Sequence, residues 1–375
     1  MKANNSISVP RRCFIQTGLG VAAGLFVPSL RADSEGRVNW AAEARYYEKL
    51  PKNRVKCRLC PWECTVKSGD RGTCGVRANK NGTYYSLVYG RVASYHVDPI
   101  EKKPFYHFLP ASSAFSIATA GCNVECKFCQ NWELAQRKPE ELRAIAISPK
   151  KLAETAAGSG STSIAYTYNE PTIFTEFMID TAIEAKALGI RNVVVSNGFI
   201  NPKPLRDLCK VIDGYKVDLK SFRETYYQEI VSGQLAPVLK SLEILKEEKV
   251  WTEIVYLLVP TLNDSDSEIR DMTQWVVQTL GPDVPVHFSR FHPKYKLKNL
   301  PPTPTSTLER ARQIGLDAGL HYVYLGNVPG HSGESTHCPS CGDTVIGRIG
   351  YRVHAINLSS GKCKKCGAAI AGVWQ

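Results

Sequence analysis

From Phe115 to about Gly326, apolar runs alternate with segments of helical period. The runs at 115–120, 164–168, 193–197, 216–220, 252–260, 284–290 and 322–326 have strand length, and a helical pattern fills each interval between them. Ahead of Gly189, for example, Ile173, Phe177, Ile183 and Ala185 are placed on one helical face, and the glycine stops the helix. Ser148-Pro149 reads as an N-cap followed by a proline at the first helical position, and Ser265-x-x-Glu268 and Ser306-x-x-Glu309 read as capping boxes. Strands separated by helices at this spacing run parallel, because a parallel pair needs a long crossover where an antiparallel pair needs only a turn. The pattern therefore predicts an α/β fold, and seven strands fit a complete or partial barrel of the TIM type better than an open doubly wound sheet. In such a barrel the reacting groups gather at the C-terminal ends of the strands.

The flanking stretches have a different texture. Residues 1–32 read as a targeting segment, with Arg11-Arg12-Cys13-Phe14-Ile15 similar to a twin-arginine export motif and an apolar stretch from Leu19 to Leu30 too short for a stable membrane anchor. Export to the periplasm and retention in the cytoplasm both stay open, and no transmembrane segment is expected in the mature chain. Residues 33–110 form a Cys-rich N-terminal region, 111–330 the barrel, and 331–375 a second Cys-rich module. The composition, 43% hydrophobic and 22% charged, is that of a globular chain. A net charge of +12 raises the question of nucleic acid, but no basic run is interleaved with aromatics, so a generally positive surface is expected and specific nucleic-acid binding is not.

Thirteen cysteines change the picture, because eleven of them fall into three clusters, a pattern of metal ligands rather than of a disulfide framework. Cys122, Cys126 and Cys129 follow the first strand directly. Three thiolates so spaced hold three irons of a [4Fe–4S] cubane and leave the fourth iron open to a ligand; a three-cysteine zinc or disulfide loop is the alternative. Cys57, Cys60, Cys64 and Cys74 lie on Gly-rich turns, where a single zinc or iron ion, a second iron–sulfur cluster and two disulfides are all admissible. Cys338, Cys341, Cys363 and Cys366 make C-x2-C…C-x2-C, the pattern of a zinc ribbon, with a rubredoxin-like iron site or a further cluster as rivals. The nearby Lys362, Lys364 and Lys365 favour an acidic docking surface.

The spacing Cys122-x3-Cys126-x2-Cys129, with Phe128 before the last cysteine, resembles the signature of radical S-adenosylmethionine (SAM) enzymes. That resemblance implies a [4Fe–4S] cluster whose open iron chelates SAM, reductive cleavage to a 5′-deoxyadenosyl radical, and hydrogen abstraction from a substrate. Tyr168-Asn169-Glu170 stands where those enzymes carry a Gly-Gly-Glu-type segment that binds the SAM amino group, so Glu170 takes that role by resemblance, with Asn169 beside it. Ser196, Asn197, Asp218, Lys220 and His287 resemble the residues bordering SAM in activating enzymes of the pyruvate formate-lyase activase type. Asp218 and Lys220 share a strand face, so each needs a partner or a ligand. Asp98-Pro-Ile-Glu-Lys-Lys-Pro104, Tyr168-Asn-Glu-Pro-Thr172, His287-Phe-Ser-Arg-Phe-His-Pro293 and Tyr324-Leu-Gly-Asn327 are similar to the AmmeMemoRadiSam-system radical enzymes. This likeness implies Amme-like and Memo-like companions, a flavodoxin or ferredoxin as electron donor, and a protein or small molecule as substrate. A non-enzymatic iron–sulfur and zinc protein for electron transfer or docking is the contrasting reading.

Overall fold

The computed structural model describes residues 42–375; the Arg11-Arg12 motif and the remainder of the targeting segment lie outside the described residues. Among the described residues, no helix is long and apolar enough to cross a membrane.

An eight-stranded sheet dominates. In chain order its strands are β1 (Ser94–Pro99), β2 (Ser113–Ala118), β3 (Ser163–Tyr166), β4 (Arg191–Ser196), β5 (Gly214–Asp218), β6 (Trp251–Leu258), β7 (Val286–Arg290) and β8 (Val323–Gly326). From β2 to β8 each strand pairs in parallel with the next, so all seven runs read from the sequence are strands of one partial barrel. Six helices make the crossovers: α1 (Pro149–Gly158), α2 (Thr175–Ala187), α3 (Pro202–Cys209), α4 (Leu235–Glu247), α5 (Asp266–Trp275) and α6 (Thr305–Asp317). The eighth strand, β1, adds antiparallel to β2 at the sheet's edge.

Local signals hold in part. Ser148 Oγ accepts from Lys151 N at 3.2 Å, as a cap should. Ser265 caps α5 through Glu268 N, but the Glu268 carboxylate turns inward to Tyr256 Oη (2.7 Å) and Phe222 N (2.9 Å) instead of closing a capping box. Ser306 lies inside α6, whose N-cap is Pro304, so that box does not form. Ile183 is 52% exposed; six residues beyond Phe177 it lies about 120° around the helix from the buried face.

The two edge strands, β1 and β8, are not hydrogen-bonded to each other. The segment from Tyr106 to Leu109 ties β6 and β8 to the chain's last residues. Buried Glu253 on β6 accepts from the backbone of Tyr106 (3.0 Å) and His107 (2.9 Å). The His107 ring reaches Tyr324 Oη through Nε2 and the carbonyl of Ala371 (2.6 Å) through Nδ1. Val373 N donates to His107 O at 2.7 Å, and Leu109 N to Val373 O at 2.8 Å. Arg348, from the C-terminal module, donates to Tyr106 O at 2.6 Å and stands 4.2 Å from the centre of the Tyr106 ring.

Burial pulls His107 down to about 4, against the opposing pull of Glu253. The unfolded chain takes up a proton near pH 6.5 while the folded chain does not until about pH 4, so stability falls as pH drops through that window, by on the order of 3 kcal/mol. Thermal melts at pH 7 and pH 5 are expected to show a smaller drop for His107→Gln than for the unaltered chain; equal drops would remove His107 from the account.

Candidate active site at the barrel mouth

The loop after β2 turns on Gly121, whose φ of +91° an L side chain rarely adopts. A Cβ there would stand 2.5 Å from Val76 Cγ1 and 3.0 Å from Cys74 O, so only glycine fits. The loop then delivers Cys122, Cys126 and Cys129 to the wall of a cavity of about 530 Å³ at the C-terminal ends of the strands. Phe128, Asn169, Glu170, Ser196, Asn197, Asp218, Lys220 and His287 line the same cavity. Every site residue read from the barrel sequence therefore faces one space.

Burial raises all three thiols, Cys126 up to about 12 despite the opposing charge of Lys220. The backbone at Val124 beside Cys122 and at Asn131 beside Cys129 works the other way, favouring thiolate over thiol. Among the described residues, no other cysteine lines the cavity. A [4Fe–4S] cluster with one free iron fits this donor set: three sulfurs, no fourth thiol, and open volume beside them.

Asparagines hold the loop in place. Asn197 Nδ2 donates to Asn123 Oδ1 at 2.9 Å and lies 4.0 Å from Cys122 Sγ, while Asn123 Nδ2 reaches Phe199 O at 2.7 Å. Asn169 accepts from Thr119 N (3.2 Å) and donates to Gly121 O (2.9 Å). Glu170 is buried and accepts from Ser196 Oγ (2.6 Å), Asn197 N (2.8 Å) and Thr172 N (3.0 Å), so it caps the turn at Pro171–Phe174 and joins the ends of β3 and β4. Burial raises its pKa against those three donors.

Asp218 is paired on both sides. Lys220 Nζ stands 2.7 Å from Oδ2 and Lys216 Nζ bonds Oδ1, giving the face one net positive charge. Burial works against all three charges; the two lysines nevertheless hold Asp218 well below its usual range, and burial leaves Lys216 lowered. Lys216 was missed from the sequence although its place, two before Asp218, put it on the same face. A second unforeseen group is Lys103, which bonds Asp98 Oδ2 at 2.6 Å and lies 4.3 Å from the centre of the Tyr168 ring. His287 sits deeper, its Nε2 2.7 Å from Glu253 Oε2, and burial lowers its pKa. His292 is exposed, and its carbonyl accepts from Gln130.

The other cysteines separate into two geometries. Cys338 Sγ lies 3.6 Å from Cys366 Sγ and Cys341 Sγ 3.9 Å from Cys363 Sγ, with all four within 4.8 Å of one another. A tetrahedral ion with metal–sulfur bonds of about 2.3 Å needs sulfurs about 3.8 Å apart, so this set suits a single zinc or iron. Among the described residues, no other three Cys, His, Asp or Glu ligands converge so closely. Cys57, Cys60, Cys64 and Cys74 are free thiols, as are all described cysteines, so the two-disulfide alternative is not formed.

Residues 116–275 match the family model of the radical SAM superfamily. The chain is 43% identical over 330 residues to an uncharacterized protein of Methanocaldococcus jannaschii, covering 88% of this chain and 98% of that one. It is 24% identical over 213 residues to the pyruvate formate-lyase 1-activating enzyme of Escherichia coli K12, covering 52% of this chain and 85% of the enzyme. A solved radical SAM methyltransferase from Sphaerobacter thermophilus aligns with 59% of this chain and 70% of its own at 14% identity and a TM-score of 0.45. The chain belongs to the radical SAM superfamily, in one family with the Methanocaldococcus protein and related to the pyruvate formate-lyase activating enzymes.

Proposed function

We propose that this chain is an activase-like radical SAM enzyme that draws hydrogen from a protein or small-molecule substrate held in the barrel mouth. Membership of the superfamily implies a [4Fe–4S] cluster and SAM. The observation that carries the reading is the convergence of three thiols and the polar strand ends on one cavity of about 530 Å³, a size typical of small-molecule sites. Bound there and reduced, such a cluster would supply the electron for reductive cleavage of SAM, the chemistry that underlies hydrogen abstraction.

The chain's own residues prepare that site. Cys122, Cys126 and Cys129 would hold three irons, and Asn169 and Asn197 fix the loop that presents them. Glu170 offers a carboxylate to an ammonium group, and the Lys216–Asp218–Lys220 face offers net positive charge to a carboxylate. His287, kept neutral by burial, offers a hydrogen bond rather than a charge. Within this reading the enzyme belongs to the AmmeMemoRadiSam system, takes electrons from a flavodoxin or ferredoxin, and works beside Amme-like and Memo-like companions. The C-terminal four-thiol site takes zinc.

Anaerobic reconstitution followed by dithionite and SAM is expected to yield 5′-deoxyadenosine and methionine. None formed by protein with a full cluster would end the proposal. Asn197→Ala is expected to slow 5′-deoxyadenosine formation by about 10- to 100-fold with iron content unchanged, as for outer-shell groups elsewhere. An unchanged rate would mean that the loop needs no such support.

A further inference from the structure

We infer that Cys57, Cys60, Cys64 and Cys74 hold a second iron–sulfur cubane, seated against the loop that carries Cys122. Cys64 Sγ meets the backbone N–H of Thr73 at 3.5 Å, and the backbone at Leu59, Trp62 and Val76 favours negative charge on Cys57, Cys60 and Cys74. Such N–H contacts accompany sulfurs that act as ligands, because they stabilise negative charge there. All six pairs among the four lie near enough to act on one another's charge, so the four share one neighbourhood.

The spacing of the four sulfurs decides between metals. In the C-terminal module the sulfurs have drawn to single-ion spacing, whereas no three of these four come within 4.8 Å of one another. A single zinc or iron would need sulfurs about 3.8 Å apart. A cubane, which places an iron and a layer of sulfide between its thiolates, needs them farther apart. The charge balance points the same way. Arg77 is 1% exposed, and its charge acts on both Cys57 and Cys74. Its Nη atoms bond Glu176, but its Nε is buried with no hydrogen-bond partner. Glu176 is that cation's counter-ion, and four thiolates around a cubane would add a second negative group within reach of its charge.

The site abuts the barrel loop. Trp62, between Cys60 and Cys64, donates its indole N–H to Asn123 O at 2.7 Å and meets Phe199 edge-on. Cys74 O faces Gly121, the residue before Cys122.

The test uses the full chain with Cys122→Ala, Cys126→Ala and Cys129→Ala combined, reconstituted anaerobically with iron and sulfide. About four irons and four sulfides per chain are expected to remain. Adding Cys57→Ser and Cys60→Ser should remove both. A triple variant with iron or zinc but no sulfide, or with no metal outside the C-terminal site, would overturn the inference. If the triple variant fails to fold, the unaltered chain decides: about eight irons and eight sulfides support a second cubane, and about four of each refute it. Neither count depends on SAM cleavage, so a failure here leaves the proposed activity standing.

Discussion

Cys122→Ala, Cys126→Ala and Cys129→Ala are each expected to reduce 5′-deoxyadenosine formation to the protein-free background, a loss of at least about 1,000-fold, or about 4 kcal/mol of barrier. Among the described residues the three thiols are the only cysteines lining the cavity, and neighbouring Gln130 and Asn131 offer amides, which bind iron far more weakly than thiolate. Losing one thiol therefore exposes a second iron to solvent, and the cube has no substitute to close it. The effect differs in kind from that of Asn197→Ala, which leaves every ligand present. Chromatography of the nucleoside products, read beside iron content and far-ultraviolet circular dichroism, separates a lost cluster from a lost fold. A folded single variant that keeps a tenth of the activity would show that the trio does not hold the reacting iron.

Cys363→Ser is expected to release one bound metal ion and to lower the melting temperature by on the order of 10 °C. The C-terminal module has a small core in which Cys338, Cys363, Val345 and Ile370 pack with Tyr106, Tyr322 and Tyr324 of the barrel. Modules of this size rely on their ion, and structural zinc contributes about 10–16 kcal/mol in zinc-finger peptides at neutral pH. Loss of the ion would loosen Arg348 and Thr336, which bond Tyr106 and Tyr324. The damage is therefore expected to reach beyond the module. Elemental analysis and a thermal melt check both halves; an unchanged melt after loss of the ion would make the site dispensable for folding.

Much of the barrel was legible because its strands are short apolar runs with β-branched residues, as in Val193-Val194-Val195, separated by helices of regular period. The trio was legible because ligand spacing within one loop is a local property. Pairings across the molecule were not. Ser94–Pro99 joins the main sheet although its residues are largely exposed, and nothing local says which strand it will meet. Lys103 and Asp98 meet Tyr168 from 65 to 70 residues away, and Glu253 gathers groups from two distant segments. The role of Glu170 combines both levels: a cap visible in Glu-Pro-Thr, and a bond to Ser196 visible only once β3 and β4 lie side by side.

Because β1 and β8 never pair, the barrel has a seam. Elsewhere its wall is a continuous ladder of backbone hydrogen bonds, which yields only as a unit. Near the seam, Tyr106 and His107 are tied to β6, to β8, to Arg348 and to the strap from Ala371 to Val373 by separate contacts each worth about 1 kcal/mol. Parting the wall there breaks no ladder. The one edge of the sheet that can widen without unravelling a pair of strands is therefore the one between β1 and β8.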